Sequence, residues 1–231
     1  GQLGSELFPL LSARGSVTAT DRSEPAAAAG DWLKLDISDG SKLEKLLNRL
    51  SPGLIVNAAA YTAVDQAEAD PETAFSVNAE LPAQLAAWAK RNDAFLIHYS
   101  TDYVFDGTAT RPYLETDTPN PQSVYGESKL AGERALEAAG CKYVTLRTAW
   151  VYSSHGKNFV LSMLNIARRG LSLNVVDDQR GCPTSARSLA LASDAVIEAW
   201  NTTAPGKCNG VFHYCDDRSL SWYEFADEIF S

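Results

Sequence analysis

Short β-rich segments, several of them nearly continuous apolar runs, alternate along this chain with helix-compatible stretches, and that alternation restricts the fold more than any other feature. The segments lie at 17–21, 32–37, 54–60, 95–101, 143–148, 173–176 and 210–214. The helical stretches fill 3–13, 41–50, 72–91, 123–139, 158–169, 185–200 and 221–231. A strand that is apolar along its length, rather than at every second residue, needs cover on both faces. Such strands separated by helices build a doubly wound parallel sheet, so the predicted class is α/β. Ser38 or Ser41 with Glu44 marks a helix start, after which Leu43, Leu46, Leu47 and Leu50 share one face. Pro82 starts a new helical piece inside 72–91. The alanine-rich patch at 26–29 reads as a surface turn. The alternation loosens after about residue 150, which predicts a regular α/β domain over 1–150. A smaller substrate-binding region then spans 151–231, interleaved with the sheet.

Charge and cysteine content narrow the partners. The chain has 231 residues, enough to bury roughly 70% of its unfolded surface without disulfides or metal. It carries 20 Lys+Arg against 29 Asp+Glu, a net charge of −9, which lacks the basic footprint of nucleic-acid binders. No apolar run approaches the ~18 residues of a membrane span; the best, 54–64, is broken by Asn57, Tyr61 and Thr62. Cys141, Cys182, Cys208 and Cys215 show neither C-x-x-C nor Cys/His ligand spacing. Four scattered thiols and no visible signal peptide predict a cytoplasmic protein.

The chain opens on Gly1-Gln2-Leu3-Gly4-Ser5-Glu6-Leu7. A glycine-rich turn before a helix lets backbone approach a pyrophosphate, and the helix N-terminus offers free N–H groups and a positive dipole end. The next strand ends in Asp21, at the distance where an acid meets an adenosine ribose; Arg22 beside it suits a 2′-phosphate. The cofactor is therefore NADH or NADPH. On this reading a strand and the first glycine, roughly ten residues, precede Gly1. More chain follows Ser231, so the sequence is expected to be truncated at both ends. The missing strand would leave a gap in the sheet. The last helix would keep Trp222, Phe225, Ala226 and Ile229 without a partner.

Tyr125 and Lys129 are four residues apart in a helix-compatible stretch and so share a face. A tyrosine has a pKa of ~10, and a neighbouring ammonium lowers it. Such a pair can exchange a proton with a carbonyl oxygen that gains hydride. Upstream, the apolar run 95–101 ends in Ser100 and Thr101, where a strand of a doubly wound sheet meets its ligand crevice. A hydroxyl there can align the carbonyl.

These stretches together resemble the extended short-chain dehydrogenase/reductase superfamily and, within it, the dTDP-4-dehydrorhamnose reductase family. The resemblance also rests on Asn57-Ala58-Ala59-Ala60-Tyr61-Thr62-Ala63-Val64-Asp65, Tyr99-Ser100-Thr101-Asp102-Tyr103-Val104-Phe105 and the stretch from Val124 to Glu133. It continues through Arg147-Thr148-Ala149-Trp150-Val151-Tyr152, Asn158-Phe159 and Asp178-Gln179-Arg180-Gly181-Cys182-Pro183-Thr184. The implied fold is Rossmann-like, and the implied activity is NAD(P)H-dependent reduction of the C4 ketone of dTDP-4-dehydro-L-rhamnose to dTDP-L-rhamnose.

By the same resemblance Tyr125 donates the proton, Lys129 lowers its pKa and holds the nicotinamide ribose, and Thr101 hydrogen-bonds the carbonyl. Gly1, Gln2, Leu3, Gly4, Asp21, Arg22, Asp36, Ile37, Ala58, Ala59, Ala60 and Thr62 line the cofactor. Ser100, Asp102, Tyr103, Trp150 and Asn158 line the dTDP-sugar, with Trp150 as its apolar contact or, equally, a core tryptophan. Asn158 is equally an N-cap, and Lys157, Arg180 and Arg187 are phosphate partners or surface groups. Some family members bind Mg²⁺ at a dimer contact through acidic side chains. Glu6 matches one such position, but Arg187 stands at the other, which argues against a metal-bridged homodimer. His98, His155 and His213 form no metal or nucleophile set, and His98 reads as a core residue.

Two other activities share these motifs. Sugar-nucleotide dehydratases carry Thr-Asp-Glu at the strand end, and epimerases share the Tyr/Lys pair. Here the triplet is Thr101-Asp102-Tyr103, which lacks the acid for water elimination. A reductase-like regulatory subunit of methionine adenosyltransferase has the fold without turnover; the presence of Thr101, Tyr125 and Lys129 favours an enzyme.

Overall fold

The computed structural model describes residues 1–22, 31–202 and 208–231; the patch at 26–29 lies outside them. Helix α1 (Gln2–Ser12) buries Leu3 and Leu7. Strands β1 (Thr18–Asp21) and β2 (Asp31–Lys34) then pair in parallel. Helix α2 (Gly40–Leu50) is capped by Asp39, whose carboxylate accepts from the Lys42 N–H at 3.1 Å, rather than by either predicted serine. Ser38 is engaged elsewhere, because its amide and hydroxyl both donate to Asp36 Oδ1.

Strand β3 (Leu54–Asn57) stops short of Ala60 because Asn57 Oδ1 turns back to accept from the Ala59 N–H. Helix α3 (Val64–Ala69), which the sequence did not announce, leads into α4 (Pro71–Phe75). A π-turn over Ser76–Glu80 and α5 (Leu81–Asn92) complete the stretch predicted as 72–91. Pro82 does fall in the first turn of α5, where its missing N–H costs nothing.

Strand β4 (Phe95–Thr101) is buried at every residue. A 3-10 turn over Asp102–Val104 follows, then α6 (Val124–Ala139) and β5 (Lys142–Thr148). Beyond β5 the elements shorten. They are β6 (Val151–Tyr152), α7 (Phe159–Arg168), β7 (Arg180–Gly181), β8 (Thr184–Ser185) and α8 (Ala186–Thr202). The chain ends with β9 (Gly210–His213), β10 (Leu220–Ser221) and α9 (Trp222–Phe230). No strand forms at 173–176. The Val176 carbonyl of that segment instead accepts from the Tyr223 N–H at 3.0 Å.

The central sheet is parallel throughout, in the order β3-β4-β5-β9. The β1–β2 pair is hydrogen-bonded to itself only, so it stands apart from the central sheet among the described residues. Side chains alternate across β4. Phe95, Ile97 and Tyr99 pack with Leu3 and Leu7 of α1 and Leu189 of α8. On the other face Leu96 joins Leu43, Leu85 and Leu136 from α2, α5 and α6. Helices therefore cover both faces, as the continuous apolar run required. Because β9 extends the sheet and α8 packs on α1, the C-terminal region is built into the same core.

The terminal helix is not without partners. Trp222 stacks on Trp150 with centroids 3.5 Å apart, and Phe225, 8% exposed, packs against Tyr152 and Phe159. The predicted loose end is thus part of an aromatic cluster, invisible to helix periodicity because its other half lies some 70 residues upstream. No helix of the described residues is long and apolar enough to cross a membrane.

Candidate active site

The site forms where the C-terminal ends of β3 and β4 meet the first two turns of α6. Ser123 starts α6 by accepting from the Gly126 N–H at 3.2 Å, which sets the helix phase. Tyr125 and Lys129 then both face inward and are buried. Gly126 lets the helix press against the strand-end turn: a Cβ there would lie 2.2 Å from the Tyr103 carbonyl oxygen. Thr101 caps the 3-10 turn. Its Oγ1 accepts from the Tyr103 N–H at 3.2 Å and donates to Asp102 Oδ1 at 3.0 Å. The same hydroxyl sits within hydrogen-bonding reach of the Tyr125 phenol. Tyr103 meets that ring edge-on at 5.5 Å.

The electrostatics differ from the sequence expectation. Burial pushes the Tyr125 phenol up to about 12, and the Thr101 hydroxyl draws it only part of the way back. Lys129 does not pull it down here, because its ammonium donates instead to the Tyr99 carbonyl at 2.6 Å. Burial also lowers Lys129 to about 8, opposed by the carboxylate of Glu133 one turn on. Glu133 in turn holds Arg147 of β5 in a buried bidentate pair at 2.9 and 2.6 Å. The Asp102 carboxyl is raised by burial. Neighbouring hydroxyls are left open: Ser100 Oγ and Thr148 Oγ1 are buried without a partner among the described residues.

Asn78, which the sequence reading passed over, ties the site together. It lies in the π-turn and is 1% exposed. Its Oδ1 accepts from the Tyr61 N–H at 2.9 Å, and its Nδ2 donates to the Tyr61 carbonyl and to Ser128 Oγ, each at 3.0 Å. Ser128 Oγ donates onward to the Tyr125 carbonyl at 2.8 Å. One side chain thus joins the loop after β3 to the helix that carries Tyr125. A single Asn within a helical pattern gives no spacing signal; a π-bulge, often found at functional positions, exists only in the folded chain. Close helix packing also needs Gly132, where a Cβ would lie 2.2 Å from the Asn78 carbonyl oxygen.

His98 is a core histidine on β4. Asn57 Nδ2 meets its Nδ1 at 3.1 Å, its Nε2 is buried without a partner among the described residues, and burial lowers its pKa well below the ordinary value.

The residues expected along a dinucleotide lie at the start of α1 and after β1, β2 and β3. Helix α1 has no side-chain cap and no acid in its first turn, so its N–H groups can meet an anion, and Gly1 and Gly4 have open space at their Cβ positions. Asp21 ends β1, Arg22 follows it exposed, and Ala58, Ala60 and Thr62 are exposed after β3. Small side chains on an open strand end fit a flat ring and ribose laid against backbone. Asp36 lies near Arg22, but its Oδ1 is held by Ser38, and Ile37 packs on the α2–α5 core.

Other expected residues are engaged by the protein itself. Asn158 caps α7 by accepting from the Leu161 N–H at 3.0 Å, and its amide donates to Gln2 Oε1 at 2.8 Å. That pair ties the N-terminal glycine turn to the C-terminal region. Trp150 is held at φ 49°, a left-handed backbone rare for a bulky residue and a feature of strained sites. One side of its ring lies on Trp222, and Gly181 leaves room for the other, where a Cβ would come within 2.4 Å. Glu6 faces Arg187 at 3.7 Å, and among the described residues no three His, Cys, Asp or Glu side chains are grouped to hold a metal.

The architecture and sequence match known proteins throughout. A family model described as the RmlD substrate binding domain matches residues 1–231. A dTDP-4-dehydrorhamnose reductase of Burkholderia thailandensis is 42% identical over 231 residues, 99% of this chain and 74% of that protein. The solved structure of such a reductase from Clostridium acetobutylicum has a TM-score of 0.84 at 38% identity, covering 100% of this chain and 76% of that one. One from Bacillus anthracis, solved in complex with NADP, has a TM-score of 0.84 at 32% identity, with the same coverage. The chain belongs to the RmlD family, alongside these dTDP-4-dehydrorhamnose reductases.

Proposed function

We propose that this chain reduces the C4 ketone of dTDP-4-dehydro-L-rhamnose with NAD(P)H, giving dTDP-L-rhamnose. The observation that carries the reading is the meeting of the Thr101 hydroxyl and the Tyr125 phenol at the end of β4. It occurs in a chain 42% identical to a reductase of that sugar nucleotide. The bound nicotinamide supplies the hydride. Tyr125, kept protonated at neutral pH by burial, hands its proton to O4 as negative charge develops there. Thr101 holds the same oxygen, and Ser100, with its hydroxyl unspent, adds a second contact. Lys129 is still cationic below about pH 8. Its ammonium holds the nicotinamide ribose.

Gly1 to Gly4 and the open start of α1 receive the diphosphate, Ala58 to Ala60 the adjoining ribose, and Asp21 with Arg22 the adenosine end. Asp21 suits NADH and Arg22 suits NADPH, so the cofactor is NADH or NADPH. Asp102, Tyr103 and Trp150 border the sugar. Tyr103 in place of a second acid favours reduction over dehydration. Its free cysteines support a cytoplasmic location.

The test is NAD(P)H oxidation driven by the 4-keto sugar nucleotide. Stoichiometric cofactor consumption with a 4-hydroxy product supports the reading. Substrate turnover without net oxidation would point to an epimerase or dehydratase instead.

A further inference from the structure

Two cysteines remote in sequence meet beside the sugar side of the site. Cys182 follows β7 and Cys215 follows β9. Two contacts hold their segments together: Gly181 pairs with Leu220 in the β7–β10 ladder, and the Ser185 N–H donates to Asp216 Oδ2 at 2.9 Å. Between these ties the Cys182 sulfur lies close enough to act on the Cys215 thiol. The pair is also anchored to the site. The Thr184 N–H donates to the Trp150 carbonyl at 3.3 Å, and the charge of Asp102 acts on the Cys215 thiol. Cys215 is exposed and Cys182 half-buried, whereas Cys141 is buried. A small reagent therefore reaches this pair, and neither thiol has a part in the proton transfer.

We propose that Cys182 and Cys215 form a reversible disulfide that locks the sugar side of the active site. As a control on turnover, the inference rests on the reductase reading. The step is thiol–disulfide exchange with a low-molecular-weight disulfide. The Cys182 thiolate attacks one sulfur of the reagent, a mixed disulfide forms and the first small thiol leaves. Cys215 Sγ then attacks Cys182 Sγ, the mixed bond breaks and the second small thiol leaves. The two cysteines give up two electrons to the reagent, and their two protons end on the released thiols. Burial and the neighbouring Cys182, with Asp216 and Asp102 adding to them, push the Cys215 thiol up to about 11. The raised value leaves little Cys215 thiolate near neutrality and slows its attack. Bond formation shortens a thiol contact to about 2.05 Å. That draws the turn after β9 onto the segment that holds Trp150.

The experiment equilibrates the full chain in buffers of oxidised and reduced glutathione, maps disulfides by peptide mass spectrometry and measures turnover in parallel. The expected result is a Cys182–Cys215 bond with turnover down by about tenfold or more, as a displacement at the site would cause. Dithiothreitol should restore full turnover. Cys182→Ser and Cys215→Ser should each keep the turnover of the reduced wild type and lose the sensitivity. Separate glutathione adducts with no internal bond would overturn the proposal, as would an internal bond that leaves turnover unchanged. A reduced protein with no turnover at all would overturn the lock together with the reductase reading. The mapping still decides the bond independently.

Discussion

The two sides of this active site are built differently. The proton side, β4 with α6, is made of long elements: a seven-residue strand buried at every position and a sixteen-residue helix whose reactive groups point inward. Its polar groups are tied by buried bonds, from Asn78 through Ser128 to Tyr125, from Lys129 to the Tyr99 carbonyl and from Arg147 to Glu133. The sugar side, after β5, is made of two-residue strands, a strained Trp150 and an aromatic cluster. Acid–base chemistry needs groups fixed in a dry setting, where burial sets their pKa. Substrate contact tolerates, and uses, loops set on that rigid frame.

That contrast predicts unequal responses to substitution. The largest effect on stability is expected at Arg147→Met, which leaves Glu133 buried without its bidentate partner. Loss of about 3–5 kcal/mol in urea unfolding is expected. The double variant with Glu133→Gln should recover part of it, because no unpaired charge remains. Next comes Gly126→Ala. The added methyl meets the Tyr103 carbonyl, costs roughly 1–3 kcal/mol by overpacking, and should lower kcat more than it raises KM by tilting Tyr125. On the sugar side Trp222→Leu removes the stack on Trp150 for about 0.5–1.5 kcal/mol beyond lost area. There KM for the sugar nucleotide should rise while kcat holds. If Trp222→Leu instead lowered kcat as strongly as Gly126→Ala, the division between the two sides would be wrong.

A pH profile sharpens the same contrast. Lys129 has its pKa lowered to about 8. It is therefore cationic below that value and neutral above it. kcat/KM should be level near neutrality and fall as pH rises through about 8. Lys129→Arg, whose guanidinium keeps its proton, should remove that limb whatever its effect on the maximum rate.

The same division decided what could be read from sequence. Strand β4, helix α6 and strand β5 were legible because a long apolar run and an i, i+4 pair are local signals. Thr101, Tyr125 and Lys129 came with them. The two-residue strands were not, since two residues carry no period, and an apolar run at 173–176 mimicked a strand that does not form. The partner of α9 was hidden because Trp150 and Trp222 meet only in the fold. The direction of the Tyr125 shift was missed for a similar reason. Spacing placed Lys129 beside it, but burial and the Tyr99 carbonyl decide where the ammonium points.

The central claim is that Tyr125 is the proton donor for carbonyl reduction, and turnover of Tyr125→Phe with the 4-keto sugar nucleotide tests it most directly. The ring and its contacts with Tyr103 remain in that variant, so NAD(P)H binding should stay near the wild-type value. Turnover should fall by about 10²–10⁴-fold, the usual worth of a placed acid. Wild-type-like turnover in a folded, cofactor-binding Tyr125→Phe protein would contradict the account.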